Sequence, residues 1–144
     1  MKIEKMTAAH LDGVCKIEND CFVHPWSRES LESELQNDNS LFYVAAEDDK
    51  VIGYIGMNFV LDEGYIYNVA VSEDFRKRGV GSALIRTLVT YCKKNSFSFL
   101  TLEVRQGNAP ARSLYESFGF IKVGERKNYY SEPTENAVLM TLYF

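Results

Sequence analysis

The stretch Tyr67–Tyr91, YNVAVSEDFRKRGVGSALIRTLVTY, carries the strongest pattern in the chain. Tyr67 to Val71 reads as a buried strand, Ser72 to Arg78 as a charged turn, and the glycine pair Gly79 and Gly81 as the start of an amphipathic helix. Val80, Leu84, Leu88 and Tyr91, joined by Ala83 and Cys92, recur at three- and four-residue steps and so predict one buried helix face. The first backbone N–H groups of such a helix have no partner within it, and its aligned peptide dipoles leave partial positive charge there. Glycine lets an anion approach that backbone closely, and Arg76, Lys77 and Arg78 add charge beside it. A diphosphate is the natural ligand for this arrangement. The same residues also fit an ordinary glycine turn before a core helix, with a solvated basic run.

With 144 residues the chain suits a single domain around one substantial core, and 46% hydrophobic with 25% charged residues lies far from the disordered range. A formal charge of −4 argues against a general binder of nucleic acid or anionic membrane, which needs a basic face, and is compatible with a basic protein or amine as substrate. No long apolar run follows the N-terminal lysines and none approaches the length of a membrane span, so a cytoplasmic protein is expected. Cys15, Cys21 and Cys92 form no CxxC pair and only His10 and His24 stand beside them, so neither a disulfide framework nor a metal site is expected.

Taken in order, Lys2 to Met6 predicts a short strand, and Thr7 caps a helix carrying Leu11, Val14, Cys15 and Ile17 inward. An aromatic-rich loop, Phe22 to Trp26, leads to Ser27, the cap of a second helix with Leu31 and Leu35 inward. Leu41 to Glu47 and Val51 to Leu61 predict a hairpin about Asp48-Asp49-Lys50, and Glu63 to Val71 continues the meander. After the glycine helix, Phe97 to Arg105 is a strand whose Thr101, Glu103 and Arg105 share one face. Asn108 caps a further helix with Pro110 in its first turn, and Gly119 ends it. Phe120 to Arg126 and Ala137 to Phe144 are the last strands, around a polar segment, Lys127 to Asn136, expected as an exposed loop. The order β-α-α-β-β-β-α-β-α-β-β is an α/β plan.

Arg76-x-x-Gly79-x-Gly81 between strand and helix resembles the coenzyme A pyrophosphate motif of the GNAT (GCN5-related N-acetyltransferase) family, and the order of elements agrees with that family from end to end. His24-Pro25-Trp26-Ser27, Leu61-Asp62-Glu63, Asn68-Val69-Ala70-Val71, Leu102-Glu103-Val104-Arg105, Asn108-Ala109, Leu114-Tyr115-Glu116 and Asn128-Tyr129-Tyr130 resemble its RimI branch. The resemblance implies a single domain over residues 1–144 with a mixed, mostly antiparallel sheet flanked by helices. It also implies acetyl transfer from acetyl-CoA to the N-terminal alanine of a small-subunit ribosomal protein, by direct attack in a ternary complex, since no cysteine stands where an acyl carrier is expected.

The family places the cofactor against Val69, Ala70 and Val71, at a strand that splays from its neighbour at a bulge. It places the diphosphate against Arg76, Lys77, Arg78, Gly79, Val80, Gly81 and Ser82, with Asn108 near the pantetheine arm. Glu103 is then the first candidate base, with Glu63, also expected on the acceptor side, as the second, and Tyr115 is the candidate acid for the departing thiolate. Phe22, Trp26, Tyr129 and Tyr130 are expected to wall a peptide cleft. Read alone, Glu103 also fits the polar face of an alternating strand, and Tyr115, Trp26 and the tyrosine pair also fit core packing. Asn136 stands where RimI-like sequences often carry an acid, a departure expected to weaken recognition of the acceptor amine. Two other readings stay open: an acetyltransferase for lysine side chains or small amines, favoured by a closed acidic pocket, and a non-catalytic acyl-CoA-binding module, against which Glu103 and Tyr115 together speak.

Overall fold

The structure, a computed structural model, describes Met1–Phe144. Its elements are β1 (Lys2–Lys5), α1 (Leu11–Cys21), α2 (Arg28–Leu35), β2 (Ser40–Glu47), β3 (Lys50–Val60), β4 (Glu63–Val71), α3 (Val80–Lys94), β5 (Phe99–Arg105), α4 (Ala109–Ser117), β6 (Ile121–Tyr130) and β7 (Glu135–Tyr143). This is the expected order. Ser27 caps α2 by accepting from the Ser30 N–H at 3.1 Å, and Asn108 caps α4 by accepting from the Ala111 N–H at 3.2 Å. The β2–β3 turn is tighter than expected, because Asp48 and Asp49 both take positive φ (50° and 64°), which closes the hairpin in two residues.

The seven strands form one sheet in the order β1-β2-β3-β4-β5-β7-β6, antiparallel throughout except for β4 and β5. Side chains alternate across it, and each face has its own core. One face packs Leu84, Ile85 and Leu88 of α3 on Ile55, Met57, Ile66, Leu100 and Leu102, with Tyr115 and Phe120 at its far end. The opposite face packs Leu11, Val14 and Ile17 of α1 and Leu31 of α2 on Phe42, Val44, Tyr54 and Ala70.

Two irregularities in β4 shape the site. Gly56 pairs with Asn68 but Met57 pairs with Ile66, so Tyr67 is an extra residue, a β-bulge. Gly56 is required opposite that bulge, since a Cβ there would overlap the Phe42 ring. Pairing with β5 is confined to Glu63–Tyr65 against Phe99–Thr101; beyond it the strands part, while β5 stays paired with β7 to Arg105. The parallel strands therefore open as a V toward their C-terminal ends.

The expected loop 127–136 is largely strand. β6 runs to Tyr130 and β7 begins at Glu135. As an edge strand exposed on both faces, β6 carries no apolar alternation, so its polar composition imitates a loop.

Candidate active site

The opening of the V is lined by two cavities. The first, about 680 Å³, runs along Val69, Ala70 and Val71 to the N-terminus of α3, where Arg76, Lys77, Gly79, Val80, Gly81 and Ser82 line it. Gly79 caps α3 with φ +81°, the left-handed region glycine tolerates, and a Cβ there would meet open space. The first hydrogen bond of the helix runs from the Ala83 N–H to the Gly79 carbonyl. The N–H groups of Val80, Gly81 and Ser82 are thus free of intrahelical partners and lie at the cavity wall. Arg76 is fixed beside them, with Nε donating to the Val71 carbonyl at 3.1 Å and Nη2 to Cys21 Sγ at 3.5 Å. These features fit a diphosphate.

The second cavity, about 440 Å³, lies between the α1–α2 loop and the β6–β7 turn and is lined by Phe22, His24, Trp26, Tyr67, Glu103 and Tyr130 among others. Cys21, Phe22, Val69, Asn108, Ala111 and Tyr115 belong to both walls, so the cavities meet there. Arg105 shapes the β6–β7 side: its guanidinium stacks on Tyr130 at 4.6 Å and donates to the Pro133 and Ser131 carbonyls at 2.9 and 3.0 Å.

Glu103 is the most organised charge in this cavity. Its side chain is 9% exposed, Oε2 accepts from the Tyr65 hydroxyl at 2.8 Å, and Oε1 accepts from Arg126 Nε at 3.2 Å. The carboxylate of Glu103, first, and then burial push the neighbouring Tyr129 phenol above the ordinary range. Burial, then the bond to Glu103, raises the Tyr65 phenol further, and burial raises Tyr130. All three phenols keep their protons at neutral pH and act as donors or apolar walls. Tyr115, 8% exposed, packs on Phe120 with ring centroids 5.6 Å apart, and burial pushes its phenol up to about 12.

The structure therefore brings together Glu103, Tyr115, Val69, Ala70, Val71, Arg76, Lys77, Gly79, Val80, Gly81, Ser82, Asn108, Phe22, Trp26 and Tyr130 around the V. Tyr129 stands outside the cavity lining but backs Glu103 and packs edge-on to Tyr130 at 5.0 Å. Arg78 is not itself in the lining but lies over the ring of Phe75, which is, at 5.2 Å. Glu63 opens β4 beside Phe99, at the closed end of the V, and lines neither cavity. Asn136 also lines neither; its side chain accepts from the Asn128 N–H at 2.9 Å and pins β6 to β7. Cys21, which the sequence did not single out as a cavity residue, ends α1 in the wall common to both cavities. Tyr65 and Arg126 were also missed. No three His, Cys, Asp or Glu side chains cluster as metal ligands, and no helix is long and apolar enough to cross a membrane.

The model of the acetyltransferase (GNAT) family matches residues 11–120. A Bacillus subtilis (strain 168) protein provisionally named a ribosomal protein bS18-alanine N-acetyltransferase is similar, 36% identical over 139 residues that cover 96% of this chain and 92% of that one. The Escherichia coli (strain K12) ribosomal protein bS18-alanine N-acetyltransferase is 33% identical over 142 residues, 97% of this chain and 95% of its own. The crystal structure of the Escherichia coli ribosomal-protein-S18-alanine N-acetyltransferase superposes with a TM-score of 0.91 over 99% of this chain and 92% of that one. With its V-shaped sheet, its glycine-started helix and these relatives over nearly its whole length, the chain belongs to the GNAT acetyltransferase family, in its RimI-like branch.

Proposed function

We propose that the protein transfers the acetyl group of acetyl-CoA to the N-terminal α-amine of an alanine-initiated ribosomal protein in the cytoplasm, by direct attack in a ternary complex, and that residues 1–144 form one catalytic domain. The observation that carries this reading is the meeting of the two cavities at Tyr115 and Val69, with Glu103 on one side and the α3 N-terminus on the other. Acetyl-CoA supplies the activated acetyl group and a thiol leaving group. The free N–H groups of Val80, Gly81 and Ser82, with Arg76 and Lys77, hold its diphosphate, while the backbone of Val69 to Val71 and Asn108 orient the arm. Glu103 takes the proton of the attacking amine, and the Tyr115 hydroxyl donates to the departing sulfur. Phe22, Trp26, Tyr129 and Tyr130 wall the acceptor chain. The names of the Bacillus and Escherichia relatives support alanine of bS18 as the acceptor.

Initial rates with two peptides test the reading: one with a free N-terminal alanine, the other N-terminally blocked with an internal lysine. Faster turnover of the free α-amine is expected, since its pKa near ~8 leaves far more neutral amine at pH 7 than a lysine near ~10.4. Turnover of the blocked peptide alone moves the protein to the lysine-acetylating class, and acetyl-CoA binding without turnover on either removes the proposed acceptor. Direct attack has its own test at Cys21, the thiol in the shared wall. Cys21→Ser is expected to keep kcat within about threefold of the parent, whereas an acyl-cysteine route loses at least about 100-fold without its nucleophile.

A further inference from the structure

Behind the acceptor cavity lies a buried carboxyl group that none of the steps above uses. Glu18, a charged residue in the last turn of α1, is only 1% exposed. Its Oε1 accepts from the hydroxyl of Tyr54 at 2.5 Å, itself 1% exposed. Its Oε2 is buried without a hydrogen bond of ordinary geometry, and the Trp26 backbone N–H and the Asn68 side chain face the carboxylate at longer range. Burial raises the Glu18 carboxyl above the usual carboxylate range, and these three groups, Tyr54 first, oppose the rise.

All the polar groups facing Glu18 can serve it as donors, so the position suits an acceptor-only side chain. A glutamine would turn an N–H pair toward donors, and a leucine would strand the Tyr54 hydroxyl. Two of the three groups also line the acceptor cavity: Trp26, from the loop before α2, and Asn68, next to the Tyr67 bulge. Trp26 continues the contact across the wall, edge-on to Tyr67 at 4.9 Å and tilted against Phe42 at 6.2 Å.

We propose that Glu18 is a positioning residue for the acceptor: from behind the cavity wall its carboxylate holds the Tyr54 hydroxyl, the Tyr54 ring stacks on Phe42 at 6.3 Å, and Phe42 packs on Trp26, so that Glu18 sets the shape of the surface the acceptor meets. This rests on the reading of the smaller cavity as the acceptor site. A folded carboxyl with a raised pKa loses stabilisation as pH rises from the unfolded value through the folded one, so ionising Glu18 in place costs stability, a cost that Glu18→Gln removes. Stability and function therefore separate in this variant.

The test uses the intact protein. Trp26 is the single tryptophan, so its emission reports the loop without any substrate. Glu18→Gln is expected to move that emission to longer wavelength, to hold Tm within a few degrees, and to raise KM for a peptide with a free N-terminal alanine about tenfold, or about 1.4 kcal/mol. KM for acetyl-CoA and kcat are expected to stay within about twofold. Should Glu18→Gln not yield folded protein, Glu18→Asp, one methylene shorter, is expected to shift emission and acceptor KM in the same direction by a smaller factor. Unchanged Trp26 emission overturns the proposal. So does an emission shift with unaltered acceptor KM, or a KM rise for both substrates together with a fall in Tm. Absence of turnover in the parent protein strikes the acceptor assignment instead, and the emission result still decides whether Glu18 holds the loop.

Discussion

Glu103→Gln is expected to lower kcat/KM for an alanyl peptide about 100- to 1,000-fold at pH 7, and to recover part of that loss as pH rises toward 9. The first half follows from the range a positioned general base contributes. The second follows from the acceptor: an α-amine with pKa near ~8 is only about a tenth neutral at pH 7, and mostly neutral a unit above its pKa. A carboxylate at the cavity wall lets the protonated amine bind and then discharge its proton; an amide accepts none. Tyr65 and Tyr129 do not take over, because their raised pKa values keep both phenols protonated across this range. The geometry also limits collateral damage. The amide oxygen of the variant still accepts from the Tyr65 hydroxyl, and Arg126 is 53% exposed, so water replaces its partner. Initial rates from pH 6 to 9.5 check the prediction. A pH profile parallel to that of the parent protein would show that Glu103 orients neighbours and moves no proton.

The start of α3 could be read directly, because glycine pairs, a basic turn and a three-four apolar repeat all act within about twenty residues of one another. Every helix and strand was likewise visible, except that β6 runs on past Arg126 to Tyr130 and β7 begins before Ala137, at Glu135. What escaped depends on contacts between distant strands. Tyr65, Glu103 and Arg126 lie on β4, β5 and β6, and they converge only because Tyr65 sits beside Thr101 at the last parallel pair while Arg126 opposes Ala137 across β7. The alternation of Tyr65 with Tyr67 was the one local hint. Glu63 was tied to the site by its strand, but β4 extends about 3.3 Å per residue, so six residues to Val69 amount to roughly 20 Å. Glu18 was invisible for the opposite reason: a charged residue in an amphipathic helix is normally solvated, and only the packing of α1 on Tyr54 buries it. Lys127 to Tyr130 read as loop because the segment has no buried face and its pairing with β7 is irregular, held at Arg126–Ala137 and again at Tyr130–Glu135, which leaves no trace in residue type.

Tyr115→Phe is expected to reduce kcat about 100-fold while leaving the Kd for coenzyme A and Tm essentially unchanged. Burial works against outright proton donation here: a phenol near 12 is a far weaker acid than a thiol near ~8.5, and full transfer between them is uphill by about 5 kcal/mol. What the hydroxyl of a tyrosine lining both cavities supplies is a hydrogen bond that strengthens as negative charge gathers on sulfur. Such a bond to a developing anion is worth about 3 kcal/mol, which sets the hundredfold figure. Stability is spared because the ring packing on Phe120 survives and no protein partner of the hydroxyl is left stranded. Since the hydroxyl donates without losing its proton, the variant's pH profile keeps the parent shape, in contrast to Glu103→Gln. Stopped-time assays across the same pH range, with calorimetric titration of coenzyme A, separate the two roles. Loss of an alkaline limb in Tyr115→Phe would return full proton transfer to this residue, and an unchanged kcat would remove it from the chemistry.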